Sequence, residues 1–284
     1  MIRNIFLKFI PITVSIFIII QCTENPFFDD EISQDDHTVV SGKVLLSDRT
    51  NPDNIYVWLE GFNISTFTDE EGNFEIEIPQ PRSQSGGGLN GIFNLYYFTA
   101  NYEFQTSSIL LINGSIQYSK GDVNGNGQIS ETIVLTKMLD IEMSVAPAQI
   151  QAAYKDPLNF TVKLKNLIDT VVVKTHYNQW GVPSSFVIMP EGGTPEEAFF
   201  LQGQPGDLRE ANITEETFWV NSFLFSPNFF SAGTYQIWPY IQIVQESLPY
   251  ELLNSIDEDI YTTTFKYLQL PIKLQRGILK VTEL

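Results

Sequence analysis

Apolar residues in this chain recur at every second position, in short runs, from residue 39 to the end. Val40, Gly42, Val44 and Leu46 alternate with polar or outward positions, as do Ile55, Val57 and Leu59 with Tyr56, Trp58 and Glu60. Phe74, Ile76 and Ile78 alternate with Glu75 and Glu77, and Phe160, Val162 and Leu164 with Thr161, Lys163 and Lys165. A period of two places one face of each strand in a core and leaves the other in water, the pattern of antiparallel sheets. Further strands are expected at 93–104, 108–116, 132–143, Val171–Lys174, Ser185–Met189, Thr217–Phe225, Thr234–Val244, Tyr261–Leu270 and Gly277–Thr282. Strands this frequent, with Gly, Pro and Asn between them and few helical patterns, predict an all-β chain of two tandem β-sandwiches. The expected division is 38–143 for the first and 144–284 for the second, with a linker at Ser144–Pro147. Residues 196–209 are the least regular stretch and are expected to hold a short helix or a loop.

The N-terminus reads differently. Arg3 and Lys8 precede an apolar run from Phe9 to Ile20, and Gln21, Cys22 and an acidic stretch follow. A positive start, a short apolar core and a cut site describe a secretory signal, and the run is shorter than the ~20 residues of a membrane span. Cys22 is the one cysteine of the chain, so no internal disulfide framework exists. Ile19, Ile20 and Cys22 resemble the lipobox of bacterial lipoproteins, with Gln21 where a small residue normally precedes the cysteine. That resemblance implies a signal peptide over 1–21, removed on export, and lipid on Cys22 as the membrane anchor. Two or three acyl chains suffice for stable anchoring at about 0.8 kcal/mol per buried methylene. Residues 22–37, with Asp29, Asp30, Glu31, Asp35 and Asp36, are expected to form an acidic flexible tether. The resemblance further implies export to the cell envelope, at the outer membrane, with the periplasmic or surface face left open.

The chain carries 34 acidic and 16 basic residues. Removal of residues 1–21 takes Arg3 and Lys8 with it and leaves 14 basic against 34 acidic, a net charge of −20. Such a charge disfavours nucleic acid and anionic lipid surfaces as partners.

Thr68-Asp69-Glu70-Glu71-Gly72-Asn73-Phe74 lies between two alternating runs. Gly72 supplies the positive φ of a tight hairpin, and Asp69 can accept backbone amides within it. With Ser41-Gly42-Lys43-Val44 and Ile55–Leu59, this segment resembles the carboxypeptidase regulatory-like domain, a small transthyretin-like sandwich. The resemblance covers 39–79 well and implies a fold; peptidase activity is not part of it. Ala232-Gly233-Thr234-Tyr235 resembles the tyrosine corner of Ig-like sandwiches, in which a tyrosine at the start of a late strand bonds back to the chain.

Gly121–Ser130 reads GDVNGNGQIS. Asp122, Asn124 and Asn126 alternate ahead of Gly127, resembling the first half of an EF-hand or dockerin calcium loop. Gln128 and Glu131 are the further oxygen donors. The twelfth position, which should be a bidentate acid, is Ile133. Two Asn-Gly pairs equally describe a turn between strands, and the turn is the favoured reading. Calcium is the one cofactor the sequence raises.

No catalytic set emerges. His37 and His176 are the two histidines, and neither has a second histidine at ligand spacing. Carboxylate pairs as in glycosidases would need a concave site holding an acid of raised pKa. Trp180, Trp219 and Trp238 could stack on sugar rings only if exposed together on one face. The expectation is therefore a lipid-anchored envelope module, binding or structural, without catalysis, whose partner is an envelope protein or a carbohydrate. The alternative is a carbohydrate-capturing accessory lipoprotein of an uptake or degradation system.

Overall fold

The structure, a computed structural model, describes residues 38–84, 86, 88–202, 208–226 and 230–283. The signal peptide, Cys22, the tether and His37 lie outside the described residues.

The fold is all-β. In the first sandwich the strands are β1 (Val39–Leu46), β2 (Tyr56–Leu59), β3 (Ile64–Phe67), β4 (Asn73–Glu77), β5 (Gly91–Phe98), β6 (Gln105–Ile112), β7 (Ser115–Ile116) and β8 (Ile133–Leu135). They form two sheets, β4-β1-β8 and β3-β2-β5-β6-β7. The inward positions predicted from the alternation, among them Val40, Val44, Val57, Leu59, Phe74 and Ile76, meet in one core between those sheets.

The second sandwich contains β9 (Leu139–Ala146), β10 (Gln149–Gln151), β11 (Pro157–Asn166), β12 (Val171–His176), β13 (Ser185–Pro190), β14 (Phe199–Gln202), β15 (Leu208–Ile213), β16 (Thr217–Leu224), β17 (Gly233–Pro239), β18 (Gln242–Ile243) and β19 (Gly277–Thr282). Its sheets are β10-β19-β17-β13-β14, β16-β11-β9 and β15-β12-β18. Phe160, Phe186, Ile188, Ile237 and Leu279 sit at the centre of its core. The stretch 196–209 supplies β14 and the start of β15 after one turn of 3-10 helix at Pro195–Glu197.

Three features depart from the sequence expectation. The division at 143/144 falls inside β9, which pairs with β11 along its whole length, from Leu139↔Asn166 to Ala146↔Asn159. Leu139, Ile141, Met143 and Val145 alternate without a break, so the strand continues through Ser144. The chain passes from one sandwich to the other at Thr136–Met138, and Thr38–Leu284 form one compact unit. Next, Tyr261–Leu270 is no strand. The segment between β18 and β19 carries a helix, Tyr250–Ile256, and a 3-10 helix, Phe265–Gln269. Thr264 Oγ1 caps the second, accepting from Lys266 N–H.

The last departure follows from that segment. Tyr56 and Trp58 of β2, which the alternation assigns to the outward face, point away from the first core, as do Tyr96 and Phe98 of β5. They are buried, Tyr56 to 2% and Trp58 to 3% exposure. Leu252, Ile260, Tyr267 and Leu270 cover them from the connecting segment, and Val187 and Trp238 meet the same cluster from the outer face of β13 and β17. A third apolar core thus joins the two sandwiches, with residues 245–274 packed between them.

Several buried polar groups tie this junction together, as burial favours; Thr99 Oγ1, buried beside Phe98 and Ala100, has no hydrogen-bond partner. Tyr267 OH accepts from Ile241 N–H at 3.1 Å and lies 3.1 and 3.0 Å from the Pro239 and Ile241 carbonyls. Gln245 Nε2 donates to the carbonyls of Ala100 and Tyr102. Asn101, fully buried, donates to Leu139 O (3.0 Å) and Lys273 O (2.7 Å) and accepts from Lys273 N–H (3.0 Å). One side chain of the first sandwich thereby holds both β9 and the end of the connecting segment.

Candidate functional site

The hairpin read from Asp69 and Gly72 is present. Asp69 Oδ1 accepts from the backbone N–H of Glu71 (3.0 Å) and Asn73 (2.7 Å), and Oδ2 accepts from Asn73 Nδ2 (3.1 Å). These bonds, the Asn73 side chain first, hold the Asp69 carboxyl below its usual range. Gly72 has φ +83°, and a Cβ there would run into the Val44 carbonyl oxygen, so no other residue fits.

In the GDVNGNGQIS loop two of the candidate calcium donors, Asp122 and Asn124, are already engaged within the protein. Asp122 Oδ2 turns to β6 and accepts from Ser108 N–H (2.6 Å) and Ser108 Oγ (3.0 Å). Asn124 Oδ1 accepts from the N–H groups of Asn126 (2.8 Å) and Gln128 (3.1 Å), the geometry of an Asx turn. Asn126, Gln128 and Glu131 are exposed. Ser41 N–H donates to Gly127 O, and Ile129 N–H donates to Ser41 O, so the loop is sewn to β1, while Val123 and Ile129 anchor it in the first core. Among the described residues no group of three or more His, Cys, Asp or Glu could hold a metal ion.

Folding brings the two motifs together. A cleft of about 670 Å³ on the open side of the first sandwich is lined by Asp69 and Asn73 from the hairpin and by Gln128 and Glu131 from the loop. Lys43, Thr66 and Glu75 complete its polar wall, and Phe67, 45% exposed, stands at its apolar side. Its size is that of a small-ligand site. Hydroxyls, amides and charges of both signs suit it to hydrogen bonding with a polar ligand. It contains no histidine or thiol. Among the described residues the carboxyl groups shifted by the fold, those of Asp48, Asp69 and Asp257, go down, opposite to the raised acid a two-carboxylate hydrolase requires.

The tryptophans do not form a platform. Trp219 and Trp238 are buried at 8% and 7%, Trp238 beneath the Arg276 guanidinium at 4.8 Å. Trp180 is 73% exposed, at the tip of a turn in which Asn178 Oδ1 accepts from the N–H groups of Trp180 and Val182. His176 stacks on Tyr240, with ring centroids 5.4 Å apart. Tyr235 OH donates to Ser231 O at 3.1 Å, the bond expected of the tyrosine corner.

A charged cluster at the crossing between sandwiches was not legible as a site. Lys137 Nζ meets Asp48 at 3.0 Å and Asp140 at 2.7 Å, and Tyr102 OH donates to the Asp48 carboxylate at 3.0 Å. Burial alone would raise the Asp48 carboxyl. The bonds from Thr50, Lys137 and Tyr102 outweigh it and bring the pKa from 3.8 to about 2. Burial pushes the Tyr102 phenol up to about 12. Asp257 and Asp259 clasp Lys266 at 2.9 and 2.8 Å within the connecting segment.

No family model matches the chain, and no curated protein matches it. Solved structures do match. They include a variant of BcpA, the major pilin subunit of Bacillus cereus, at 10% identity over 70% of this chain and 63% of the pilin, with a TM-score of 0.27. The TIE protein of Bacillus anthracis matches at 8% identity over 70% of this chain and 44% of that protein, with a TM-score of 0.23. A streptococcal ancillary pilin matches at 11% identity over 73% of this chain and 53% of the pilin, also at 0.23. The alignments span less than two thirds of these proteins' length. At such TM-scores the likeness carries no functional meaning, and the all-β assignment rests on the sheets themselves. No helix among the described residues is long and apolar enough to cross a membrane.

Proposed function

We propose that this protein is an exported module of the cell envelope, held to the membrane by lipid on Cys22 and carrying two joined sandwiches at the end of an acidic tether. We read the first sandwich as carboxypeptidase regulatory-like, from its Asp69–Asn73 hairpin, and the second as Ig-like, from its tyrosine corner. Its work is binding or structural. The observation that carries the structural part of this reading is the third core. It joins the sandwiches through Tyr56, Trp58, Trp238 and Tyr267 and uses the buried polar groups as ties. A body built this way suits display and mechanical continuity. The test is incorporation of a fatty-acid analogue into the full chain in cells, with mass spectrometry of the mature N-terminus. Label on the wild type that is lost in Cys22→Ala is the expected result; an unlabelled mature chain rejects the anchor.

One observation favours a carbohydrate reading: the 670 Å³ cleft with its hydroxyl and amide wall and Phe67 beside it. With Trp219 and Trp238 buried, the large aromatics open to a ring among the described residues are Phe67, Trp180, Phe218 and Tyr250, and of these Phe67 lines the cleft. Titration calorimetry with envelope glycans addresses it. Binding that is lost in Phe67→Ala supports the cleft as the site; binding unaffected by that change places the sugar elsewhere.

A further inference from the structure

Strand β16 is eight residues without charge or proline, at the edge of the sheet β16-β11-β9. Register shows which of its backbone groups are unpaired. Met143 N–H donates to Gln275 O, and Gln275 N–H donates to Ile141 O, so Ile141 and Met143 aim their backbone groups away from β11. Alternation along an antiparallel ladder then assigns the odd-numbered residues of β11 to β9 and the even-numbered ones to β16. The partners of the latter are Thr217, Trp219, Asn221 and Phe223. The N–H and C=O groups of Phe218, Val220, Ser222 and Leu224 therefore face the free edge, without a backbone partner among the described residues. Their side chains form the outer face, where Phe218, Val220 and Leu224 are 56%, 53% and 76% exposed.

Edge strands are normally guarded by charge, proline or a bulge. Edge strand β4 carries Glu75 and Glu77, and β15 carries Arg209 and Glu210. β16 has none of these. We propose that β16 is a self-association edge, pairing antiparallel with β16 of a second copy about a two-fold axis at Asn221. In that register Phe218 lies opposite Leu224 of the second copy and Val220 opposite Ser222. Even-numbered residues meet even-numbered residues, so every free donor finds a free acceptor. Charge selects a second copy as the occupant. The chain has a net charge of −18, yet this strand has none, and the neighbouring row on β11 contributes Lys163, already paired with Glu142 and Glu216. A second copy approaching here meets no charged side chain on the strand itself, and Glu216 at its start is paired with Lys163. An edge of eight residues buries less than the ~1,200 Å² of a stable interface, so the dimer is weak and exchanges rapidly. Repulsion between two acidic bodies makes it stronger at high salt.

The test uses the full chain in detergent with Cys22→Ala, so that no native thiol competes. Val220→Cys and Ser222→Cys are prepared separately and then mixed. The two-fold register places residue 220 of one copy directly opposite residue 222 of the other, within disulfide range, and separates like from like. Cross-linking at least ten-fold faster in the mixture than in either protein alone is the expected result. Sedimentation should show a dimer fraction that rises with concentration and salt and is lost in Val220→Lys, with the unfolding transition of that exposed variant unchanged. Equal cross-linking in all three samples, no cross-linking at all, or sedimentation independent of concentration overturns the proposal.

Discussion

Two sheet faces in this molecule carry similar residues and meet opposite fates. On the outer face of β2 and β5, Tyr56, Trp58, Tyr96 and Phe98 are buried under the connecting segment. On the outer face of β16, Phe218, Val220 and Leu224 are more than half exposed. Each row is largely apolar or aromatic at a spacing of two, with Ser222 the one polar member of the second. Burial is decided by what lies across from the row. Residues 245–274 fold over the first and leave the second bare.

The contrast can be broken most forcefully at its covered side. Trp58→Ala should lower the unfolding free energy by about 3–5 kcal/mol, as removal of a large buried side chain does. Denaturant titration of the full chain should still show one cooperative transition. Two separated transitions in the wild-type protein would mean that the third core does not couple the sandwiches.

Asn101→Ala should come next, at about 2–3 kcal/mol, because it strands the Leu139 and Lys273 backbone groups inside the junction. The same titration measures it. A loss under about 0.5 kcal/mol would mean that the polar ties add nothing to the apolar contact.

Acid should weaken the junction by a smaller step. The Asp48 carboxyl is depressed in the folded chain, so it stabilises above its ordinary value of 3.8, and that contribution disappears as pH falls toward about 2. Thermal melts between pH 5 and pH 2 should show a decline that is shallower in Asp48→Asn. Identical slopes would remove the Asp48–Lys137 cluster from the account.

On the bare side, Leu224→Ser should change stability by no more than about 0.5 kcal/mol, the range of ordinary surface changes. A larger loss would show that the outer face of β16 is covered after all. Smallest is the expected effect of calcium. With Asp122 bonded to Ser108 and Asn124 to its own turn, millimolar calcium should leave the melting temperature where it is. A rise that vanishes in Asp122→Ala would restore the ion-binding reading of the loop.

Much of the architecture was legible in the residues because its causes are local. The Asp69–Asn73 hairpin follows from one carboxylate and one glycine in contact with their own neighbours. The corner at Tyr235 follows from a hydroxyl reaching four residues back. Legibility failed where a strand candidate depended on distant contacts. Tyr261–Leu270 has enough apolar residues for a strand, yet Thr264 caps a 3-10 helix there and Tyr267 is drawn into a pocket of distant carbonyls. The cleft eluded the sequence for a related reason. Its two walls, Asp69–Asn73 and Gln128–Glu131, are each recognisable as turns, but only sheet pairing through Ser41 and Gln128 sets them side by side.

Taken alone, the sequence determined that the chain is β, where many of its strands run, and which face of each looks into its own sandwich. Side-chain direction alternates with every residue, so a period of two suffices for that. Only the tertiary structure decided that β9 belongs to the second sandwich, that Tyr56 and Trp58 are interior, and that β16 keeps an open apolar edge. Those outcomes depend on which segment packs against the far face of a sheet, and no local pattern encodes a neighbour that lies 199 residues away, as Ser255 does from Tyr56.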